Sequence, residues 1–274
     1  MKSPVRSVLS ERAALFAFVV SIAVCMSPAR ADIEVSGTLG GNTTWGDTTQ
    51  PYIVDNLLGP LTVPAGITLT IDPGVTVISK WDNAGTFHVE GTLNADGATV
   101  QFKTRDGVVQ PCIVASSGVA TFDSCSLSVD RTSGELVADT AMFVVQDSAT
   151  LNINGSELSN GATGGDVNRG IWTEDTATLN IGADGAARSS LDGFPEAVRA
   201  ESTTAATVDR ADFSDGEFGI YLSNAAVDLT VTNATFNDFD HALELPNAHD
   251  VVLTNIAIDQ AGDIERQVGV YMDN

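Results

Sequence analysis

Short alternations of apolar and polar residues recur along the chain from about residue 110 onward. The first alternation of each repeat is centred on one aliphatic or aromatic residue: Ile113, Phe143, Ile171, Val198, Ile220, Leu243 and Val270. In several repeats an apolar pair follows eight and ten residues later, and a third apolar position follows after fifteen or sixteen. A period of two is typical of strands that bury one face. The pattern therefore predicts three short strands in each repeat.

Successive repeats are 22 to 30 residues apart, which suits coils with turns of variable length. Three short strands cannot enclose a core on their own, because each strand buries only one face. Stacking coil on coil buries a continuous apolar column and pairs equivalent strands in parallel. Amphipathic helical spacing is absent after residue 31. We therefore predict an all-β fold, a single-stranded parallel β-helix of three-strand coils.

Residues that favour sharp bends follow the second strand of the coils at a constant position. They are Gly155, Arg210, Asn233 and Asn255. Gly and Asn tolerate the left-handed backbone conformation that a sharp bend requires. Stacked coils would bring Asn233 and Asn255 together, so that their amides could bond along the stack. An isolated turn preference in each coil would explain the same residues.

The first 31 residues have the features of a cleavable signal peptide. Three basic residues come first: Lys2, Arg6 and Arg12. An apolar run, 13–26, and the small-residue segment 27–31 follow, with cleavage expected before Asp32. The run is too short to span a bilayer, which takes roughly 20 residues. A lipoprotein signal at Cys25 is disfavoured because Val24 is not small. We expect a secreted protein that is extracellular, at the cell surface or in the periplasm, without a transmembrane helix in its mature part.

Residues 45–104 carry a more specific signal in four segments. They read QPYIV at 50–54, LTVPAGITLTIDPGVTV at 61–77, VEGTLNA at 89–95 and VQFKT at 100–104. This stretch of about sixty residues resembles the opening coils of secreted bacterial right-handed parallel β-helix repeat proteins. The resemblance implies a right-handed parallel β-helix, placed at 51–274, and an N-terminal cap at 32–50. We expect the β-helix to continue beyond residue 274, because the last residues given, 270–272, look like the first strand of another coil. It carries no catalytic residues, because these motifs are structural.

The chain is strongly acidic, with a formal net charge of −23. Removal of the predicted signal leaves 9 basic and 35 acidic residues, a charge near −26. Such a chain is not expected to bind nucleic acid, because a polyanion requires clustered Lys and Arg. An acidic surface is soluble and can hold divalent cations. A solvated surface is the favoured interpretation.

One file of side chains points outward if the central residues of the repeats point inward. Its predicted members are Val114, Val144, Trp172, Arg199, Tyr221, Glu244 and Tyr271. Aromatic faces stack on sugar rings, and Arg and Glu can bond hydroxyl groups. We treat Trp172, Arg199, Tyr221, Glu244 and Tyr271 as a candidate glycan-binding site. The alternative is that exposed strand positions favour such residues without any ligand.

Three carboxylates are weaker candidates for a metal site. Asp215 and Asp238 follow the third strand of adjacent coils at matching positions, and Asp240 is close in sequence. Calcium prefers several oxygen ligands, so calcium is possible here although solvated carboxylates are favoured. No other cofactor is expected.

Two cysteines, Cys112 and Cys125, follow the predicted signal. Export to an oxidising compartment makes a disulfide between them possible. The predicted register points Cys125 inward and Cys112 outward, which disfavours the bond.

Two classes of function remain open. The first is a non-catalytic extracellular or cell-surface β-solenoid with a structural or adhesive role. The alternative is a carbohydrate-active enzyme, a polysaccharide lyase, glycoside hydrolase or uronan epimerase. No histidine lies between glycines and no Arg-x-Lys element occurs, so the polygalacturonase-like motif set is missing. We expect a structural or adhesive protein whose partner is a polysaccharide or cell-surface glycan.

Overall fold

A computed structural model describes residues 32–55, 59–79, 87–104, 112–131, 140–161, 167–182, 187–201, 205–223, 228–246, 250–259 and 268–271. Within these ranges the chain forms 26 strands and no helix, so no helix there could cross a membrane. The predicted signal peptide, 1–31, lies outside the described residues. The strands in chain order are β1 Ile33–Val35, β2 Thr43–Trp45, β3 Tyr52–Val54, β4 Leu61–Val63, β5 Thr68–Ile71, β6 Thr76–Ser79, β7 Phe87–Val89, β8 Thr92–Asp96, β9 Thr99–Thr104, β10 Cys112–Val114, β11 Val119–Asp123, β12 Ser126–Arg131, β13 Ala141–Val145, β14 Thr150–Asn154, β15 Glu157–Asn160, β16 Arg169–Thr173, β17 Thr178–Ile181, β18 Ser189–Asp192, β19 Glu196–Ala200, β20 Ala205–Asp209, β21 Ala211–Leu222, β22 Asp228–Thr232, β23 Thr235–Glu244, β24 Asp250–Thr254, β25 Ala257–Asp259 and β26 Val268–Tyr271.

Every strand pairing is parallel, and the pairings build three columns along the stack. The first-strand column contains β4, β7, β10, β13, β16, β19, the ends of β21 and β23, and β26. The second-strand column is a nine-stranded sheet from β2 to β24. The third-strand column runs from β1 to β25 and joins the first where β21 and β23 continue through the corner. The predicted all-β parallel solenoid of stacked three-strand coils is confirmed.

The core is an apolar tube filled by side chains from each coil. Phe87, Phe102 and Phe143 contact one another edge to face, with ring centroids 6.2 Å and 5.9 Å apart. Further along, the rings of Phe213 and Phe236 stack in parallel at 4.7 Å. All five rings are buried. Aromatic and aliphatic side chains of successive coils therefore stabilise the stack mainly by burial and close packing.

The register of one coil differs from the prediction. Cys112 pairs with Phe143 and Ile113 pairs with Val144, so Cys112 and Val114 face the core and Ile113 faces outward. The side chains of Cys112 and Val114 are completely buried. The expectation that Ile113 points inward while Cys112 and Val114 point outward is wrong by one residue. A shift of one residue exchanges the two faces of a strand.

The predicted bends after the second strand are confirmed. Gly155, Arg210, Asn233 and Asn255 all have positive φ values, between 50° and 54°. The amide of Asn255 donates a hydrogen bond to Oδ1 of Asn233 in the preceding coil, over 2.7 Å. Asn233 in turn donates to Asp209. The two asparagines are therefore bonded along the stack, as predicted, and are not isolated turn residues.

The segment 32–50, predicted as a cap, is built of strands that belong to the stack. Ile33 in β1 pairs with Tyr52 in β3, and Thr43 in β2 pairs with Leu69 in β5. Trp45 is buried and its ring stacks on Tyr52 at 4.8 Å. This segment therefore contributes a first coil whose side chains join the common core.

Candidate functional site

The register aligns the five predicted glycan-binding residues on neighbouring strands of the first-strand column. Trp172 pairs with Arg199, Arg199 with Tyr221, Tyr221 with Glu244, and Glu244 with Tyr271. We call these five residues the outer file. Strands in a sheet are about 4.8 Å apart, so each of the three aromatic residues, on alternate coils, is about 9.6 Å from the next. Arg199 and Glu244 occupy the coils between them.

In the preceding coils, the positions in register with the outer file hold Val144, Ile113 and His88. Val144 precedes Trp172 in register but is only 1% exposed, so it offers no surface to a ligand. Ile113 takes the place that was predicted for Val114, and His88 pairs with Ile113 one coil earlier. The exposed aromatic and charged part therefore begins at Trp172.

A second file of functional side chains lies at the corner where the third-strand column meets the first. Its members are Arg169, Glu196, Phe218 and His241, which pair in register in successive coils. Each lies three residues before a member of the outer file. We call these four residues the corner file, and the two files together the stripe. The sequence prediction did not include the corner file.

Small residues separate the two files at the corner. Gly219 lies between Phe218 and the core residue Ile220, and a Cβ atom there would be 2.4 Å from the carbonyl oxygen of Ala242. Likewise, a Cβ atom added at Gly170 would be 2.6 Å from the carbonyl oxygen of Ala197. At these two glycines the backbone of the next coil lies too close for a larger side chain. The small residue before each central apolar residue is the sequence signal for the corner.

Ion pairs hold the arginines of the stripe in place. Arg169 is only 5% exposed and donates from Nε to Glu196 over 2.8 Å. Arg199 donates to both carboxylate oxygens of Glu196, at 3.2 Å and 3.3 Å, and to Glu201. Burial lowers the pKa of Arg199, but these two carboxylates outweigh it and raise the pKa above its ordinary value. Both guanidinium groups are therefore held in place by carboxylates.

The rings of the stripe contact these cations and one another. The guanidinium carbon of Arg169 lies 4.5 Å from the centroid of Trp172, and that of Arg199 lies 4.9 Å from the centroid of Tyr221. Phe218 packs edge-on against Tyr221 at 5.4 Å and contacts the ring of His241 at 5.1 Å. Such cation–π and ring contacts orient the aromatic side chains.

The aromatic side chains of Trp172 and His241 each carry a ring nitrogen that lacks a good hydrogen bond within the described part of the chain. Nε1 of Trp172 is buried and has no hydrogen-bond partner there. Nδ1 of His241 lies 3.0 Å from Oε2 of Glu244 without the alignment of a hydrogen bond. His241 and Glu244 are therefore close together without a hydrogen bond, and they form an ion pair only when the imidazole is protonated.

A further glutamate, Glu174, extends the charge of the stripe. Burial raises the pKa of Glu174, the carboxylates of Glu201 and Asp175 raise it further, and Arg169 opposes them. Glu174 directly follows Thr173, and Glu201 directly follows Ala200, which pairs with Thr173. The two carboxylates therefore occupy equivalent positions in neighbouring coils.

The acidic metal candidates are partly brought together. Asp215 and Asp238 occupy equivalent bends and both have positive φ. Burial raises the pKa of Asp215, and the carboxylates of Asp192 and Asp238 raise it further. Asp240 is exposed on β23 beyond this bend. Among the described residues, no group of three or more His, Cys, Asp or Glu side chains is arranged to hold a metal ion.

Both cysteines are buried free thiols. Cys125 points inward as predicted, and Sγ donates to the carbonyl oxygen of Ala95 over 3.5 Å. Burial raises the pKa of Cys125 to about 11 and raises that of Cys112 even more. A thiolate is the reactive form of cysteine, so both thiols are unreactive in the folded protein.

The chain matches no family model, and no curated protein is significantly similar to it. No solved structure matches it significantly either. The stripe is thus described from its own residues.

Proposed function

We propose that the protein is an extracellular or cell-surface β-solenoid with a structural or adhesive role, and that it binds a glycan chain along the stripe. The observation that carries this proposal is the register of Trp172, Tyr221 and Tyr271 on alternate coils. A linear polymer that runs parallel to the stack would meet an aromatic ring about every 9.6 Å. The polar side chains between the rings would meet its hydroxyl groups.

Preorganisation of the side chains supports binding at this surface. Ordering a flexible side chain costs about 0.5–1.5 kcal/mol on association. Arg199 is already held by Glu196, Glu201 and Tyr221, and Trp172 is held by Arg169. The stripe would therefore bind a ligand with little further loss of side-chain entropy.

The test is a binding assay on wild type and four variants with a panel of linear oligosaccharides, by isothermal titration calorimetry. Trp172→Ala and Tyr221→Ala remove rings of the stripe, whereas Thr178→Ala and Thr207→Ala change outward residues of the second-strand column. An aromatic contact of this kind is worth more than about 1 kcal/mol, or about fivefold in affinity. We expect that loss in the first two variants and none in the controls. Unchanged affinity in Trp172→Ala and Tyr221→Ala refutes the proposal.

Secretion and catalysis are tested with the same protein. Expression of the full chain in a bacterial host with an export pathway, followed by N-terminal sequencing, is expected to give a chain that starts at Asp32. The carbohydrate-active alternative predicts shorter, unsaturated or epimerised products after incubation with the bound oligosaccharide, and product analysis by mass spectrometry and NMR detects them.

A further inference from the structure

The positive charges of the stripe are neutralised within the protein. Arg169 pairs with Glu196 and stacks on Trp172. Arg199 pairs with Glu196 and Glu201. A uronate polymer binds where Arg or Lys can offer hydrogen bonds to its carboxylates. Recruiting either guanidinium group for that purpose would break an existing, partly buried ion pair, so acidic glycans are poor ligands for this surface.

Carboxylates outnumber the cations around the rings. Arg169 and Arg199 are the cationic side chains of the stripe. Glu174, Glu196 and Glu201 interact with them. A fourth glutamate, Glu244, lies further along the outer file beside His241. Glu196 and Glu244 are only 18% and 19% exposed. Like charges that are partly removed from water repel one another. A ligand that carries positive charge would reduce this repulsion.

The rings already accept cations in the geometry that such a ligand would use. The guanidinium carbons lie 4.5 Å and 4.9 Å from the centroids of Trp172 and Tyr221. Ammonium groups bind aromatic faces in the same way, at distances up to about 6 Å. Tyr271 is 40% exposed and pairs with Glu244, so a ring and a carboxylate lie side by side at the end of the outer file.

We propose that the ligand of the stripe is a glycan with free amino groups, a glucosamine polymer rather than a uronate polymer. This proposal rests on the proposed function. The ammonium groups of the glucosamine polymer lie beside Glu174 and Glu244, and its sugar rings run along the outer file. N-acetylation removes the charge and weakens binding, while a galacturonate chain is repelled.

The experiment compares glucosamine, N-acetylglucosamine and galacturonate oligosaccharides of equal length by isothermal titration calorimetry. We expect the glucosamine chain to bind at least about tenfold more tightly than its N-acetylated form, a preference that high salt reduces. The galacturonate chain is expected not to bind. Glu174→Gln combined with Glu244→Gln should remove most of the preference. Glu157→Gln, an exposed glutamate of the third-strand column, is the matched control and should preserve it.

The outcomes separate this inference from the proposed function. Equal affinity for the glucosamine and N-acetylglucosamine chains, with both lost in Trp172→Ala, overturns the amino-sugar inference and leaves glycan binding intact. A preference that survives the double glutamate variant also overturns it, because it then reflects general attraction to an acidic protein. If Trp172→Ala binds every chain as wild type does, the proposed function itself fails.

Discussion

Replacing Gly219 by alanine tests the corner on which the stripe depends. The backbone of Gly219 is not in the left-handed region, so alanine is conformationally allowed there. The added Cβ would nevertheless lie 2.4 Å from the carbonyl oxygen of Ala242 and 2.6 Å from the ring of Phe236. Real contacts of this kind do not occur below 3.0 Å. Phe236 has little room to move, because its ring stacks on Phe213 at 4.7 Å.

The expected cost follows from two opposing effects. Overpacking in a well-packed region costs about 1–3 kcal/mol. Replacing glycine by alanine restricts the unfolded chain and returns about 0.4–1 kcal/mol. The net expectation for Gly219→Ala is a loss of about 1–2 kcal/mol. Gly41→Ala is the matched control, because no atom lies within 4 Å of its added Cβ and its φ is not left-handed. The control should be neutral or slightly stabilised.

The measurement is urea unfolding followed by circular dichroism and by tryptophan fluorescence. A lower midpoint with an unchanged m value would identify a loss of folded-state stability. Coincidence of the two probes checks that the solenoid unfolds as one unit. If Gly219→Ala is as stable as Gly41→Ala, the strands do not approach as closely as the structure indicates, and our explanation of the corner is wrong.

Three further substitutions test other contacts of the stack. Asp215→Asn should stabilise the protein at pH 7, because the folded state raises the pKa of Asp215 and its charge is therefore unfavourable there. Because the folded state raises the pKa of Asp215, the free energy of unfolding falls as the pH rises through that pKa. The advantage of Asp215→Asn should therefore vanish below about pH 4, where Asp215 is protonated in both the folded and the unfolded protein. Arg188→Met removes a bidentate ion pair with Asp212. Because the pair is half-exposed, the free energy of unfolding should fall by only about 1 kcal/mol. The decrease, measured by urea titration, should be smaller at high salt. Asn160→Ala removes three hydrogen bonds that the Asn160 side chain makes with the backbone of Val167 and Gly193, two of them buried, and should cost about 2–3 kcal/mol in the same titration at any salt concentration.

The sequence predicts most coils correctly because their two strand faces differ in character. In β16, β19 and β21 the outward residue is Trp172, Arg199 or Tyr221, and its inward neighbour is aliphatic. Only one orientation of each strand then buries the aliphatic side chain, so the pattern predicts which residue points inward. The Asn233–Asn255 bond follows from the same register, since both residues occupy the same bend.

The prediction fails where both phases of a strand are apolar. In β10 the run Cys112, Ile113 and Val114 offers no polar residue that marks the outer face. Apolar side chains would be buried whichever face of β10 pointed inward. The neighbouring strands determine the face, because Phe87 and Phe143 align with Cys112. Long-range register is not available from a local pattern. The assignment of Val114 to the outer file was wrong for this reason.

The position of the stripe depends on small residues as much as on aromatic ones. Met142 occupies the corner position in β13, since its neighbours Ala141 and Phe143 pair with Arg169 and Ile171. All five residues of β13 are buried, Val144 among them. From β16 onward Gly170 and its equivalents take that position, and the outer file becomes partly exposed. A search for related stripes in other solenoids should therefore ask for Gly or Ala before the central apolar residue, with an aromatic or charged residue on either side. Aromatic residues alone do not reveal whether a strand can turn them outward.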